Sequence, residues 1–126
     1  MRYWKFDPIN LIRDFNRNKN AIASIQLQIK MTKDEIKNPF VETDVGQCER
    51  RLKQLELLLE QYRMYVDWVT LGFNVLEELE RKVLELRYID GLDVADTGKT
   101  LFMPNSKVEK IEKQAILSFS RVVSPI

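Results

Sequence analysis

Apolar residues recur every seven positions in the first third of this chain, a pattern that predicts a long helix with a narrow apolar seam. One core position of the repeat is filled by Phe15, Ile22, Ile29 and Ile36. The other alternates apolar and polar side chains, in the order Leu11, Asn18, Ile25 and Thr32. Asp7-Pro8 predicts the start of this helix, and Asn38-Pro39 predicts its end, because proline suits the first helical turn and disfavours helical geometry in the residue before it.

A second and more regular repeat follows, with an apolar or aromatic side chain at all ten of its core positions. These residues are Val45, Leu52, Leu59, Val66 and Phe73 at one position, and Cys48, Leu55, Tyr62, Val69 and Leu76 at the other. Asp44 is the candidate N-cap, with Gln47 three residues later. Near the end of the repeat, Gly72 and Asn74 indicate either a break, with Asn74 capping the next helix, or a helix that continues through Leu76.

Two apolar seams joined by a short loop most simply fold back on each other as an antiparallel helical hairpin. The same seam could instead pair with another copy of the chain, and two hairpins could form a four-helix dimer core. Periodicity is compatible with each arrangement. We therefore expect an all-α protein with a long, coiled-coil-like hairpin that mediates homo-oligomerisation.

Three shorter apolar-periodic segments between positions 76 and 119 have the outline of a helix-turn-helix. The first helix is marked by Leu79, Val83 and Leu86, and Asp90-Gly91 stops it. The second is marked by Leu92, Ala95 and Leu101, with Asp93 as its N-cap. The third is marked by Val108, Ile111, Ala115 and Phe119, and Ser106 and Glu109 have the spacing of a capping box at its start.

The order of residues in these three segments resembles region 4 of bacterial sigma factors over roughly forty positions without a gap. The matching residues are Leu76, Glu80, Arg81, Val83, Leu84, Leu86, Arg87, Tyr88, Gly91, Leu92, Val108, Ile111, Glu112 and Ala115. The resemblance implies a compact helix-turn-helix whose last helix enters the major groove of double-stranded DNA, and it implies contact with RNA polymerase. A small chain with such a domain is similar to phage late-gene activators of the ArpU and RinA type.

Three residues depart from the pattern of that family. Thr97 stands where the second helix usually has an apolar residue, Phe102 stands where the turn usually has glycine, and Pro104 opens the last helix. Because a bulky residue is unfavourable at a positive φ angle, Phe102 predicts a turn of another conformation. Proline is tolerated in the first helical turn, so Pro104 predicts a start shifted by a residue.

Polar side chains at the start and on the outer face of the third helix are the candidate DNA contacts. They are Asn105, Ser106, Lys107, Lys110, Lys113 and Gln114. Lysine binds phosphate or guanine, asparagine and glutamine pair with adenine, and a helix N-terminus favours phosphate. The alternative is a solvated charged face on a domain that no longer binds DNA, which Glu109 and Glu112 among the lysines favour.

The net charge of the chain is only +1, from 20 basic and 19 acidic residues, whereas a dedicated DNA-binding protein is often strongly basic. Residues 77–126 hold eight basic residues against nine acidic ones. Electrostatic fields decay within about 10 Å at 0.1 M salt, so the charge of the face that meets the duplex matters most. We expect weak DNA affinity per subunit, which makes a dimer important.

The residue types argue against catalysis. The chain has no histidine, the commonest general base near neutral pH and the commonest metal ligand. Its single cysteine, Cys48, occupies a core position of the second repeat and is expected to be a small buried apolar residue. We expect neither metal nor cofactor. With no run of about eighteen apolar residues, we expect a soluble cytoplasmic protein that does not bind membranes.

The sequence thus predicts two parts, an aromatic tail and oligomerising hairpin over residues 1–75 and a DNA-binding helix-turn-helix over residues 76–126. The tail residues Tyr3, Trp4 and Phe6 either pack on a neighbouring helix or bind a partner. The leading hypothesis is a phage or mobile-element transcription regulator that inserts helix 105–120 into the major groove and acts in the bacterial cytoplasm. The alternatives are a protein-interaction module with a degenerate helix-turn-helix, binding a host or phage protein, and a structural DNA-packaging subunit.

Overall fold

The computed structural model describes residues 7–40 and 42–123, so the aromatic tail Tyr3, Trp4 and Phe6 lies outside the described residues. The described part is all-α and contains no strand, which confirms the predicted fold class. Its helices are α1 (Pro8–Arg13), α2 (Phe15–Lys37), α3 (Val45–Asn74), α4 (Glu78–Leu84), α5 (Val94–Leu101) and α6 (Asn105–Val122). A π-helical turn, Glu85–Ile89, continues α4. No helix in the described ranges is both long and apolar enough to cross a bilayer.

By its internal contacts the chain divides into two units. The first is Arg17–Val66, which holds most of α2 and α3. The second combines Met1–Asn16 with Asp67–Ile126, of which residues 7–16 and 67–123 are described. The second unit therefore contains α1, the end of α3 and the whole helix-turn-helix.

The first unit is an antiparallel helical hairpin. Ile25 of α2 forms a buried cluster with Leu55 and Leu59 of α3. The half-buried residues around this cluster are Ile22, Ile29 and Tyr62. These positions lie about equally far from the loop in each helix, so α3 folds back along α2, as its seam predicted.

The two polar residues of the first seam are also buried. Asn18 and Thr32 are each 6% exposed. The Thr32 hydroxyl donates to the Gln28 carbonyl oxygen at 2.7 Å, so its helix satisfies it without help from a partner. The seam therefore keeps its period through the polar positions.

The predicted starts of the long helices are confirmed by hydrogen bonds. The Asp7 carboxylate accepts from the Ile9 N–H at 2.9 Å, and the Asp44 carboxylate accepts from the Gln47 N–H at 3.0 Å. The predicted continuous helix before residue 38 is wrong, because Asp14 separates α1 from α2 with φ −84° and ψ 0°. The seven-residue repeat gives no sign of this break, since Asp14 lies between core positions.

The second long helix ends at Asn74, as its glycine and asparagine indicated, but the proposed Asn74 cap is wrong. The N-cap of α4 is Glu77, whose N–H donates to the Glu80 carboxylate at 3.0 Å. Arg81 closes the end of α3 by donating from Nε and Nη2 to the Phe73 carbonyl oxygen, at 3.3 and 3.1 Å. One arginine of α4 thus fixes the junction between the two helices.

The core of the second unit is apolar and tightly packed. Its fully buried residues include Leu11, Ile12, Val69, Val83, Leu84, Val108 and Phe119. The Phe73 ring packs between those of Phe15 and Phe119, at centroid distances of 6.4 and 5.8 Å. A Cβ atom on Gly72 would lie 2.4 Å from the Phe119 ring, so glycine is required for α3 to approach α6 this closely.

Candidate nucleic-acid interface

The first helix of the helix-turn-helix is α4 with its π-helical turn. Val83 and Leu86 are buried, as their spacing predicted, but Leu79 is 39% exposed and Leu84 takes the remaining core position. The predicted stop at Asp90-Gly91 is confirmed, with Gly91 at φ +76°. Glycine suits this positive φ because it has no Cβ to clash.

The second helix, α5, begins at the predicted N-cap. The Asp93 carboxylate accepts from the Asp96 N–H at 2.7 Å. The face that α5 buries differs from the prediction, since Ala95 is exposed and Thr97 and Gly98 are buried. Thr97 is fully buried, and in the described part of the chain its hydroxyl has no hydrogen-bond partner. The residue that departs from the family pattern therefore still fills the apolar position.

The turn after α5 packs directly on Gly98. The Met103 N–H donates to the Gly98 carbonyl oxygen at 2.9 Å. A Cβ atom on Gly98 would lie 2.6 Å from the Met103 carbonyl oxygen, a contact that real side chains do not make. Glycine at position 98 thus allows α5 to lie close to the turn and to the start of α6.

Phe102 closes α5 in the left-handed conformation, with φ 58° and ψ 47°. The expectation of another turn conformation is therefore wrong. The left-handed conformation costs a residue with a Cβ about 1–2 kcal/mol, and the compact packing on Gly98 holds it in place. The Phe102 side chain is 96% exposed, so no packing of the ring offsets that cost.

The last helix, α6, begins at Asn105, immediately after Pro104, which is its N-cap. The predicted Ser106–Glu109 capping box is wrong, because Ser106 already lies inside the first turn. The N–H groups of Lys107 and Val108 donate to the Pro104 carbonyl oxygen at 3.1 and 3.2 Å. No side chain among the described residues caps this end, which leaves its first N–H groups open to an anion.

The two sides of α6 have opposite characters. Val108, Ala115 and Phe119 are fully buried, as their spacing predicted. All six candidate contact residues are exposed, namely Asn105, Ser106, Lys107, Lys110, Lys113 and Gln114. Three of them surround the helix N-terminus, and the others continue along the outer side.

The acidic residues of α6 lie on different sides of the helix. Glu109 is exposed, but Glu112 is half-buried and its Oε1 lies 2.6 Å from Nε of Arg87. The Arg87 Nη1 donates to the Leu92 carbonyl oxygen at 2.8 Å, which ties the loop before α5 to the same group. The sequence pattern places Glu112 among the outer lysines, a prediction that is wrong. Arg87 and Glu112 both belong to the residues that carry the resemblance to sigma region 4, which is the one sequence signal for their pairing.

Tyr88 lies beside this salt bridge. The guanidinium groups of Arg13 and Arg87 lie over its ring, 5.4 and 5.2 Å from the centroid. Burial raises the pKa of the Tyr88 hydroxyl above its ordinary value, and the Glu112 carboxylate raises it further. Arg13, Arg87 and Tyr88 thus pack together around Glu112 and help to hold the inner side of α6 in place.

The charged residues within the turn between α5 and α6 are lysines, and the exposed carboxylates of Asp96 and Glu109 lie immediately before and after this segment. Residues 97–108 include Lys99 and Lys107 and contain no carboxylate. Both lysines are exposed. The turn and the open N-terminus of α6 therefore present two exposed lysines beside free helix N–H groups, and both kinds of group bind phosphate.

Comparison with protein families agrees with this geometry. Residues 72–118, from the end of α3 into α6, match the family model of Sigma-70, region 4. The chain thus contains a sigma region 4-like helix-turn-helix, a DNA-binding and non-enzymatic type of domain. No curated protein and no solved structure matches the chain.

Proposed function

We propose that this protein is a transcription regulator that binds double-stranded DNA by placing α6 in the major groove. The observation that carries the proposal is the exposure of all six candidate contact residues of α6 while Val108, Ala115 and Phe119 anchor its opposite side. A recognition helix needs both properties, because its base-reading side chains must be free and its axis must be fixed.

The six residues divide by the chemistry of their side chains. Asn105, Ser106 and Lys107 surround an uncapped helix N-terminus, where N–H groups and the helix dipole favour phosphate. Lys110 and Gln114 lie farther along the exposed side, where lysine suits guanine and glutamine suits adenine. Lys113 extends the contact to the DNA backbone, as does Arg121, an exposed residue of α6 beyond the six.

The orientation of Glu112 favours this function over a degenerate helix-turn-helix. Its carboxylate binds Arg87 inside the domain, so it does not stand among the outward lysines. Glu109 is the remaining acidic residue between Lys107 and Lys110. Repulsion between this side of α6 and phosphate is therefore weaker than the composition suggests.

We propose residues 1–75 as the oligomerisation part and residues 76–126 as the DNA-binding part, with two copies joined through the hairpin. The first unit buries its seam within the chain yet leaves apolar side chains exposed on both helices. These are Leu27 and Met31 of α2, and Leu57, Leu58 and Met64 of α3. A dimer would cover them and bring two α6 helices to half-sites about 34–36 Å apart.

The biological setting we propose is phage or mobile-element gene regulation in the bacterial cytoplasm, with RNA polymerase as a protein partner. The match to sigma region 4 and the sequence resemblance to phage late-gene activators support it. A pull-down with purified RNA polymerase tests the protein contact. Retention of polymerase by the full chain is expected, and its absence would remove polymerase from the partners.

DNA binding itself is tested by selection from a random-sequence duplex pool, followed by electrophoretic shift on the selected duplex. Saturable binding at micromolar protein and about 50 mM salt is expected, and its absence would rule out the function. Light scattering measures the assembly, for which twice the 14.9 kDa chain mass is expected. A monomer at the concentration that binds DNA would contradict the dimer while leaving the DNA contact standing.

A further inference from the structure

Phe102 combines two unfavourable features in one residue. Its backbone is left-handed, which a side chain with a Cβ rarely adopts, and among the described residues it is the only non-glycine residue with a positive φ. Its ring is 96% exposed, the largest exposed fraction among the large apolar side chains described. Strained backbone conformations of this kind cluster at ligand-binding and active sites, and here the strain places an aromatic ring in solvent.

The surroundings of Phe102 indicate what binds there. The residue joins α5 to α6 and lies two positions before the N-cap Pro104. Lys99 and Lys107 lie on either side of it in the sequence and are both exposed, and the nearest carboxylates along the chain are Asp96 and Glu109. An exposed apolar ring between two exposed lysines of the turn is complementary to a partner that carries both phosphate and apolar surface.

We propose that the Phe102 ring packs against the DNA that receives α6, on a deoxyribose or a thymine methyl group. This inference rests on the proposed function and assigns a contact residue outside α6. Apolar side chains recognise the thymine methyl group in the major groove, and sugar faces offer similar apolar surface along the backbone. Because the contact involves no charge, it adds affinity without releasing counterions.

The test compares full-length variants on a selected duplex of about 30 base pairs, long enough for two half-sites. Phe102→Asn removes the ring and keeps a residue that tolerates the left-handed conformation, so the melting temperature should be unchanged or higher. Phe102→Tyr keeps the ring. Phe40→Asn is the matched control, since Phe40 is also exposed, at 78%, and lies in the loop between α2 and α3.

Phe102→Asn should bind about tenfold more weakly than wild type, with the slope of log K against log salt unchanged. The DNA affinity of Phe102→Tyr should stay within about threefold of that of wild type. The affinity of Phe40→Asn should equal that of wild type. Wild-type affinity in Phe102→Asn, an equal loss in Phe40→Asn, or a loss with a shallower slope would overturn the inference while the proposed function stands. Absence of DNA binding by the wild type would overturn both.

Discussion

Nε of Arg87 lies 2.6 Å from Oε1 of Glu112, in a salt bridge that joins the end of α4 to α6. The side chains are 21% and 15% exposed, so water screens the pair only partly. Arg87 also donates to the Leu92 carbonyl oxygen at 2.8 Å. One guanidinium thus fixes α6 and the loop before α5 relative to the first helix of the domain.

Arg87→Ala should lower the free energy of unfolding by about 2–3 kcal/mol, because Glu112 would be left half-buried without its partner. Urea denaturation followed by circular dichroism measures the change. Glu112→Ala and the double variant complete a mutant cycle. The double variant should lose less than the two single variants together, and strict additivity would show that the pair is not coupled.

Thr97→Val should raise the free energy of unfolding by about 1 kcal/mol, since a methyl group of similar size replaces a buried hydroxyl that has no hydrogen-bond partner within residues 7–40 and 42–123. Thermal denaturation shows whether the variant is more or less stable than wild type. Thr100→Val is the control, because the exposed Thr100 hydroxyl donates to the Asp96 carbonyl oxygen at 2.9 Å and gives no such gain. A destabilised Thr97→Val would mean that the hydroxyl is satisfied in solution.

Gly98→Ala should destabilise the protein by about 1–3 kcal/mol, because the new methyl group would meet the Met103 carbonyl oxygen at 2.6 Å. The backbone of the turn would have to move to admit it. Gly46→Ala, in the exposed first turn of α3, adds the same atom where the nearest contact is an ordinary 3.4 Å, and should be neutral or mildly stabilising. Chemical denaturation gives the free energy of unfolding of both variants. Equal changes in Gly98→Ala and Gly46→Ala would contradict the close contact between Gly98 and the Met103 carbonyl oxygen.

Tyr88 should make stability depend on alkaline pH. Its pKa is raised by burial first and by Glu112 second, while Arg87 and Arg13 oppose the shift. The folded state thus holds the proton more tightly than the unfolded chain. The resulting stability is fully present below the ordinary tyrosine pKa of about 10 and is lost as pH rises through the folded pKa.

Urea midpoints at about pH 8 and about pH 11 test this dependence. Wild type should lose more stability across that interval than Tyr88→Phe, which has no phenolic proton to release. An equal loss in both proteins would show that Tyr88 ionises no later in the folded state than in the unfolded one.

Local sequence signals predicted much of this fold because they act over a few residues. The caps at Asp7, Asp44 and Asp93 follow from side-chain chemistry, and the seam of α3 follows from its period. Other features depend on tertiary packing. Asp14 interrupts a regular repeat, and Glu112 turns inward only because Arg87 faces it from another helix.

The candidate site shows the same division. The apolar stripe of α6 predicted which side is free, and all six polar candidates are exposed. The turn was predicted from the intrinsic preference of phenylalanine, yet packing against Gly98 holds Phe102 left-handed. The Ser106 cap failed for a similar reason, because Pro104 already ends the turn and occupies the N-cap. The contribution of each polar residue to DNA binding stays a prediction.

The salt dependence of DNA affinity is the most direct measurement of whether α6 contacts phosphate. Titrations between about 50 and 200 mM salt give the slope of log K against log salt for wild type and for Lys107→Ala/Lys110→Ala. The double variant should bind more weakly, with a slope shallower by about one per lysine. Lys30→Ala/Lys33→Ala makes the same charge change on exposed positions of α2 and should match wild type. An unchanged slope in the α6 variant, or the same change in the α2 variant, would contradict DNA binding through α6.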